Sequence, residues 1–168
     1  MQNSTNIFYF RPKKSSDPEY VSIKDKGASQ CRAVLGFAEG QGAHSMYLPH
    51  NCPQVSTTAH EFIHILGFYH EHQRPDRDDY IWVDESNLKA SWRLDIRKCN
   101  SCKTFDVPYD PHSIMHYHAQ VGCIDCSKLV LHSKVSEVDF DLPSLFLFWV
   151  SLISYGTLKL RKDRMNLF

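Results

Sequence analysis

The sequence predicts an α+β fold built as one main domain, on three observations. Strand-like runs precede residue 49, an amphipathic helix follows them, and beyond Gly67 the pattern breaks into polar, proline-punctuated chain with one short helix. The length of 168 residues suits one domain with a core of its own. Hydrophobic residues at 42% and charged residues at 23% are ordinary for a globular protein. The 19 basic and 19 acidic side chains cancel, and no basic run carries interleaved aromatics. Nucleic acid is therefore disfavoured as a partner.

Taken in order, "NIFYF" and "EYVSI" read as strands joined by the polar "RPKKSSDP". From Ala33 to Leu48, "AVLGFAEGQGAHSMYL" sets three glycines between two apolar runs, which reads as strand, connection, strand. Pro53 fits the first turn of a helix, with Asn51 or Cys52 as its cap. Ala59, Phe62, Ile63 and Leu66 then give that helix an apolar face. After Gly67, "HQRPDRDDY" is polar, "YIWVDESNL" leads into a short helix from Asp84 to Trp92, and "CNSCKTFDVPYDPHSIMHY" is loop-like. The N-terminal "MQNSTNIFYF" lacks the pattern of a signal peptide and holds the sequon Asn3-Ser4-Thr5. From Leu142 to Leu158 there is no charged residue, and Lys159, Arg161, Lys162 and Arg164 follow. A spanning helix needs about 20 apolar residues. This shorter run, with its Pro, Gly and serines, reads as an apolar tail, and membrane attachment through 142–158 is the other reading.

The chemistry is concentrated in "AHEFIHILGFYHEHQRPDRDDY", Ala59 to Tyr80. His60 and His64 are four apart and share one face of a helix. His70 lies beyond the reach of the same straight helix, but Gly67 can take a left-handed conformation that ends it and turns the chain back. Three neutral imidazoles leave one position open on Zn²⁺, the mark of a catalytic site rather than a closed structural one. Glu61, next to His60, is placed to contact a metal-bound water without ligating. Zinc lowers the pKa of such a water to about 7, and a carboxylate beside it can accept the proton and return it to a leaving amine. The pattern points to hydrolysis of an amide.

These residues resemble the extended zinc signature of the astacin family of metzincin zinc endopeptidases. "HEFIHILGFYHEHQRPDRDDY" carries the signature, and "SIMHY", Ser113 to Tyr117, resembles the family's Met-turn. The resemblance implies a zincin-like scaffold: a twisted mixed sheet packed on the active-site helix, with an irregular C-terminal subdomain. It spans roughly residues 7 to 134, so a catalytic domain is expected at 1–134 and a divergent apolar and basic tail at 135–168. One zinc per chain is implied, held by His60, His64 and His70, with Glu61 as general base and acid. Tyr117 would be an extra ligand at rest and an oxyanion donor during turnover, and Met115 an apolar floor. Glu71 would be a buried link to a processed N-terminus. His72, His112, His116 and His118 are expected at the surface or as supports for the ligands. The family's opening strand and long first helix are not matched, and a second family disulfide lacks a cysteine at Ile7, so a marginally stable domain is expected.

The resemblance also implies a Cys31–Cys52 disulfide bracketing the edge strand on which an extended peptide binds, expected near His44 to Leu48. Cys99-x-x-Cys102 and Cys123-x-x-Cys126 have the spacing of a four-cysteine zinc site. Beside the wall of a secreted enzyme's active site, disulfides are the preferred reading. The implied partner is a protein or peptide substrate, and the implied destination is extracellular. Two other readings stand beside this one: a non-catalytic truncated relative that binds zinc or peptide, and a membrane-tethered zinc-ribbon module.

Overall fold

A computed structural model describes residues 11–25, 30–50, 52 and 55–135. The expected strand at "NIFYF", the sequon, the helix-opening Pro53 with Asn51, and the apolar run 142–158 lie outside the described residues. The chain divides into two compact units, with the boundary between Phe68 and Tyr69.

The first unit is a small mixed sheet and one helix. Strands β1 (Tyr20–Lys24), β2 (Arg32–Ala33) and β3 (Ala43–Tyr47) form a sheet in the order β1-β3-β2. β1 runs parallel to β3, pairing Tyr20 with Ala43 through Lys24 with Tyr47, and β2 is antiparallel to β3. The run at 44–48 is therefore not the sheet edge that the resemblance suggested. Its alternating His44 and Met46 are buried, and both flanks of the strand are hydrogen-bonded, so among the described strands the outer positions belong to β1 and β2. The Glu19 carboxylate ties down the connection before β3, accepting from the N–H groups of Gly40 at 2.6 Å and Gly42 at 2.9 Å. Cys31 and Cys52 are joined, which fixes the start of β2 near the entry to the helix. Helix α1 spans Val55–Ile65. It ends where Gly67 takes φ +95°, with Gly67 N–H donating to His64 O and Phe68 N–H to Ile63 O. That pair of bonds is the left-handed C-terminal stop that a glycine permits.

The second unit carries little regular structure. β4 (Ile81–Val83) pairs antiparallel with β5 (Leu131–Ser133), and Trp82 stacks on His132 across the pair at 3.8 Å. The sequence expectation of a helix over Asp84–Trp92 is not met. Two single 3-10 turns, Glu85–Asn87 and Ala90–Trp92, precede a one-turn helix α2 (Arg93–Ile96). The interruption has a tertiary cause: buried Leu88 is extended and bridges Cys123, and Lys89 N–H donates to Gly122 O. Ile81, Leu88, Ile96, Tyr109, Val121, Val130 and Leu131 build the core of this unit. Asn87 is buried within it and acts as a polar knot, donating to the carbonyls of Asp125, Lys128 and Leu129 and accepting from Asp125 N–H. Such a satisfied amide substitutes for the ladder bonds that an irregular chain lacks. Cys99 pairs with Cys102 and Cys123 with Cys126, so these four cysteines close two short disulfide loops and are not set out as a zinc ribbon.

Among the described residues no helix is long and apolar enough to cross a membrane.

Candidate active site

α1 presents His60 and His64 one turn apart, as their spacing requires. Their Nε2 atoms are 3.1 Å from each other. Nδ1 of His64 lies 2.8 Å from the Phe68 carbonyl, which can only accept, so the ring proton sits on Nδ1 and the Nε2 lone pair faces His60. Burial, with His60 beside it, lowers the His64 pKa to about 4, against the pull of the Phe68 carbonyl. The ring is thus neutral at pH 7, the form in which imidazole binds a metal. Two ligand nitrogens around one tetrahedral zinc, each about 2.0–2.1 Å from it, would stand roughly 3.3 Å apart. The observed spacing of the pair fits that edge.

Glu61 is 5% exposed, an unusual place for a carboxylate. One of its oxygens is held by the N–H of Ala33 on β2, and Oε2 has no hydrogen-bond partner among the described residues. Burial raises its pKa to about 7, although the Ala33 N–H favours the ionised form. A carboxyl group poised near neutrality, with a free oxygen, can take up and give back a proton at physiological pH.

His70 follows Gly67 by three residues and is partly buried. Its backbone N–H and Nδ1 both approach Oε1 of Gln73, at 3.3 and 3.2 Å. Among the described residues His60, His64 and His70 form a group able to hold a metal ion, with one ligand atom from each lying within 4.8 Å of the others.

The Met-turn region packs around His70. Glu71 N–H donates to Met115 O at 2.9 Å, and Met115 itself is buried. Ser113 organises the turn, accepting from Met115 N–H on its hydroxyl and from His116 N–H on its carbonyl. The Tyr117 ring lies 4.3 Å from the His70 ring and 4.2 Å from that of His72, with which it stacks at 26°. His72 is fully buried and its Nε2 donates to Asp95 O, so it is a packed support, whereas His118 is exposed. His116 bridges Tyr109 and the Tyr117 carbonyl at 2.6 Å each, with burial lowering its pKa to about 4. His112 N–H donates to Asp110 Oδ1.

Glu71 is no solvated charge. Its Oε1 accepts from Arg74 Nη1 at 3.0 Å and from Asp110 N–H at 2.9 Å, and burial raises its pKa in spite of both. Arg74 also forks onto both oxygens of Asp76 and donates to the Val107 and Pro108 carbonyls. Sequence reasoning missed Arg74 as the centre of this network, Ala33 as the anchor of Glu61, and Gln73 beside His70.

Residues 1–140 match the family model described as Astacin, a family of peptidases. The chain belongs to the astacin family. It is 35% identical over 111 residues to zinc metalloproteinase nas-14 of Caenorhabditis elegans, covering 65% of this chain and 22% of that protein. With meprin A subunit beta of Rattus norvegicus it shares 36% identity over 127 residues, covering 74% of this chain and 18% of that protein. The chain therefore spans about a fifth of the length of these curated relatives. Among solved structures it is similar to high choriolytic enzyme 1, a hatching enzyme zinc-protease from Oryzias latipes, with a TM-score of 0.72 and 24% identity over 85% of this chain and 70% of that one. That likeness shows the astacin-type α+β fold. Astacin-family membership implies zinc, and three histidines with fixed tautomers or converging nitrogens fit it.

Proposed function

We propose that this chain is a zinc-dependent endopeptidase, with residues 1–134 as its catalytic domain and 135–168 as a divergent tail. The observation that carries the reading is Glu61: a buried carboxyl with one anchored and one free oxygen, next in sequence to His60, whose Nε2 faces that of the neutral His64 at 3.1 Å. His60, His64 and His70 would hold the zinc. When bound, zinc supplies a Lewis acid that polarises a carbonyl and acidifies a water. Glu61 takes the proton from the attacking water and delivers it to the departing amine, and its pKa near 7 suits both directions. The Tyr117 phenol, held by its ring against His70 and His72, donates to the developing oxyanion.

An extended peptide substrate would pair antiparallel with an outer strand of the sheet, and β2 is the outer strand beside the catalytic carboxyl. Ala33 on that strand anchors Glu61, so the peptide would be positioned by the element that positions the base. The three disulfides support an extracellular destination.

The test is zinc content and chelator-sensitive peptide cleavage by the oxidised protein. His64→Ala should lose both zinc and cleavage. Glu61→Gln should keep zinc and lose cleavage, and Tyr117→Phe should keep zinc with a smaller fall in turnover, on the order of 10²-fold for one lost oxyanion donor. Cleavage by Glu61→Gln at the parent's rate would refute the assignment.

A further inference from the structure

His70 differs from His64 in how its ring is held. His64 hands its Nδ1 proton to a carbonyl of its own helix end, whereas His70 Nδ1 lies 3.2 Å from a side-chain acceptor, the amide of Gln73. An amide can be turned either way, so the identity of that acceptor must be argued. Nε2 of Gln73 lies 3.0 Å from the Asp95 carbonyl and 3.5 Å from the Arg97 carbonyl. Carbonyls only accept, so the amide nitrogen must face them and Oε1 must face His70. Oε1 has no proton to give. The ring proton of His70 is therefore on Nδ1, and the lone pair is on Nε2.

We propose that Gln73 is the positioning residue for His70, holding it in the Nδ1–H tautomer that leaves Nε2 to bind zinc. This rests on the reading of His70 as a metal ligand. The support continues beyond the amide. The Gln73 carbonyl accepts from Cys99 N–H at 2.7 Å, at the start of the Cys99–Cys102 loop. The Asp95 carbonyl that receives Gln73 also receives His72 Nε2, and His72 stacks on Tyr117. The end of α2 and the disulfide loop after it thus form a platform, and Gln73 connects that platform to the candidate ligand. Partners of this kind that orient a ligating imidazole are worth about 10–100-fold in metal affinity when removed.

The experiment measures zinc affinity by competition with a chromophoric chelator for the full, oxidised chain and for Gln73→Met, Gln73→Glu and His70→Ala. Gln73→Met keeps the length of the side chain and removes the acceptor, and should bind zinc about 10–100-fold more weakly. Gln73→Glu retains an acceptor for the Nδ1 proton but loses the donor to the Asp95 and Arg97 carbonyls, and its affinity should fall between those of the parent and Gln73→Met. Long-range proton–nitrogen NMR of the metal-free proteins reads the tautomer directly. The parent should carry the His70 proton on Nδ1, and Gln73→Met should show mixed tautomers. Parent-like affinity in Gln73→Met, or equal losses in the Met and Glu variants, would overturn the proposal while leaving the zinc site standing. Parent-like affinity in His70→Ala would remove His70 from the ligand set, and both readings would fall.

Discussion

Arg74→Met is the perturbation that most directly tests the account of the second unit. The Arg74 side chain is 12% exposed and neutralises two carboxylates, Glu71 at 17% and Asp76 at 32%. Methionine keeps most of the volume and removes the cation that the two acids share. Removing one member of a buried ion pair costs about 3–5 kcal/mol, and the partial exposure of Asp76 argues for the lower end, about 3 kcal/mol. For a chain of this length that corresponds to a fall in Tm of roughly 6–12 °C. Urea and thermal unfolding of oxidised, chelator-treated protein would read it. The pH dependence supplies a second check. Burial raises the folded pKa of Glu71, so its contribution is present below the unfolded value of about 4.3 and is lost as pH rises. Hydrogen bonding to Arg74 lowers that of Asp76, so its contribution is present above about 3.9 and is lost as pH falls. Without Arg74 the first shift grows and the second vanishes. Both changes penalise the variant at pH 7; the Glu71 part relaxes as that acid protonates, so the gap to the parent should narrow between pH 7 and pH 4, and the Asp76 part relaxes only below about 3.9. A variant within about 0.5 kcal/mol of the parent at pH 7, the range of an ordinary surface substitution, would refute the reasoning, as would a gap that widens in acid.

Two further expectations are independent of this network. Gly122 has φ +63°, and an added Cβ would lie 2.6 Å from Cγ and 2.8 Å from Cβ of Trp92. Gly122→Ala should therefore cost about 1–2 kcal/mol for the left-handed backbone and about 1–3 kcal/mol for displacing Trp92, read as a lower urea midpoint; an unchanged midpoint would contradict the packing described. For His116, burial lowers the folded pKa to about 4, so its contribution is complete above the unfolded value near 6.5 and is lost as pH falls toward 4. Its protonation should remove about 2 kcal/mol between pH 6.5 and pH 5, and the stability difference between the parent and His116→Gln should shrink by that amount. A constant difference over that interval would show that His116 does not titrate in this window.

What the sequence disclosed and what it withheld follow from the range of the forces involved. His60, His64 and Gly67 are legible because helix periodicity and a left-handed stop are set within a few residues. The strands at Tyr20–Lys24 and Ala43–Tyr47 are legible for the same reason, since β-rich runs between turn residues announce themselves locally. Their order is not. Nothing in "AHSMY" states that β1 and β2 occupy its two sides, so an edge expected there lies one strand away. The Asp84–Trp92 segment has helix-compatible residues, yet Leu88 gains more by burial and by bridging Cys123 than by continuing a helix. Local preference of a few tenths of a kcal/mol per residue yields to burial worth roughly 2 kcal/mol for one leucine.

The candidate site divides along the same line. The residues proposed to touch metal or water form a short-range pattern, and the groups that orient them come from far along the chain. Ala33 holds Glu61 across 28 positions, Asp95 holds Gln73 across 22, and Pro108 and Val107 hold Arg74 across 34 and 33. Most of these anchors are backbone groups, and a backbone N–H or carbonyl leaves no signature in side-chain identity. Gln73 is the exception, because its side chain makes the contact to His70. Its amide donates to one carbonyl and accepts from one ring, and only the two together determine which His70 nitrogen is left for a metal. A motif can therefore name the ligands, whereas the tautomers they need are decided by folding.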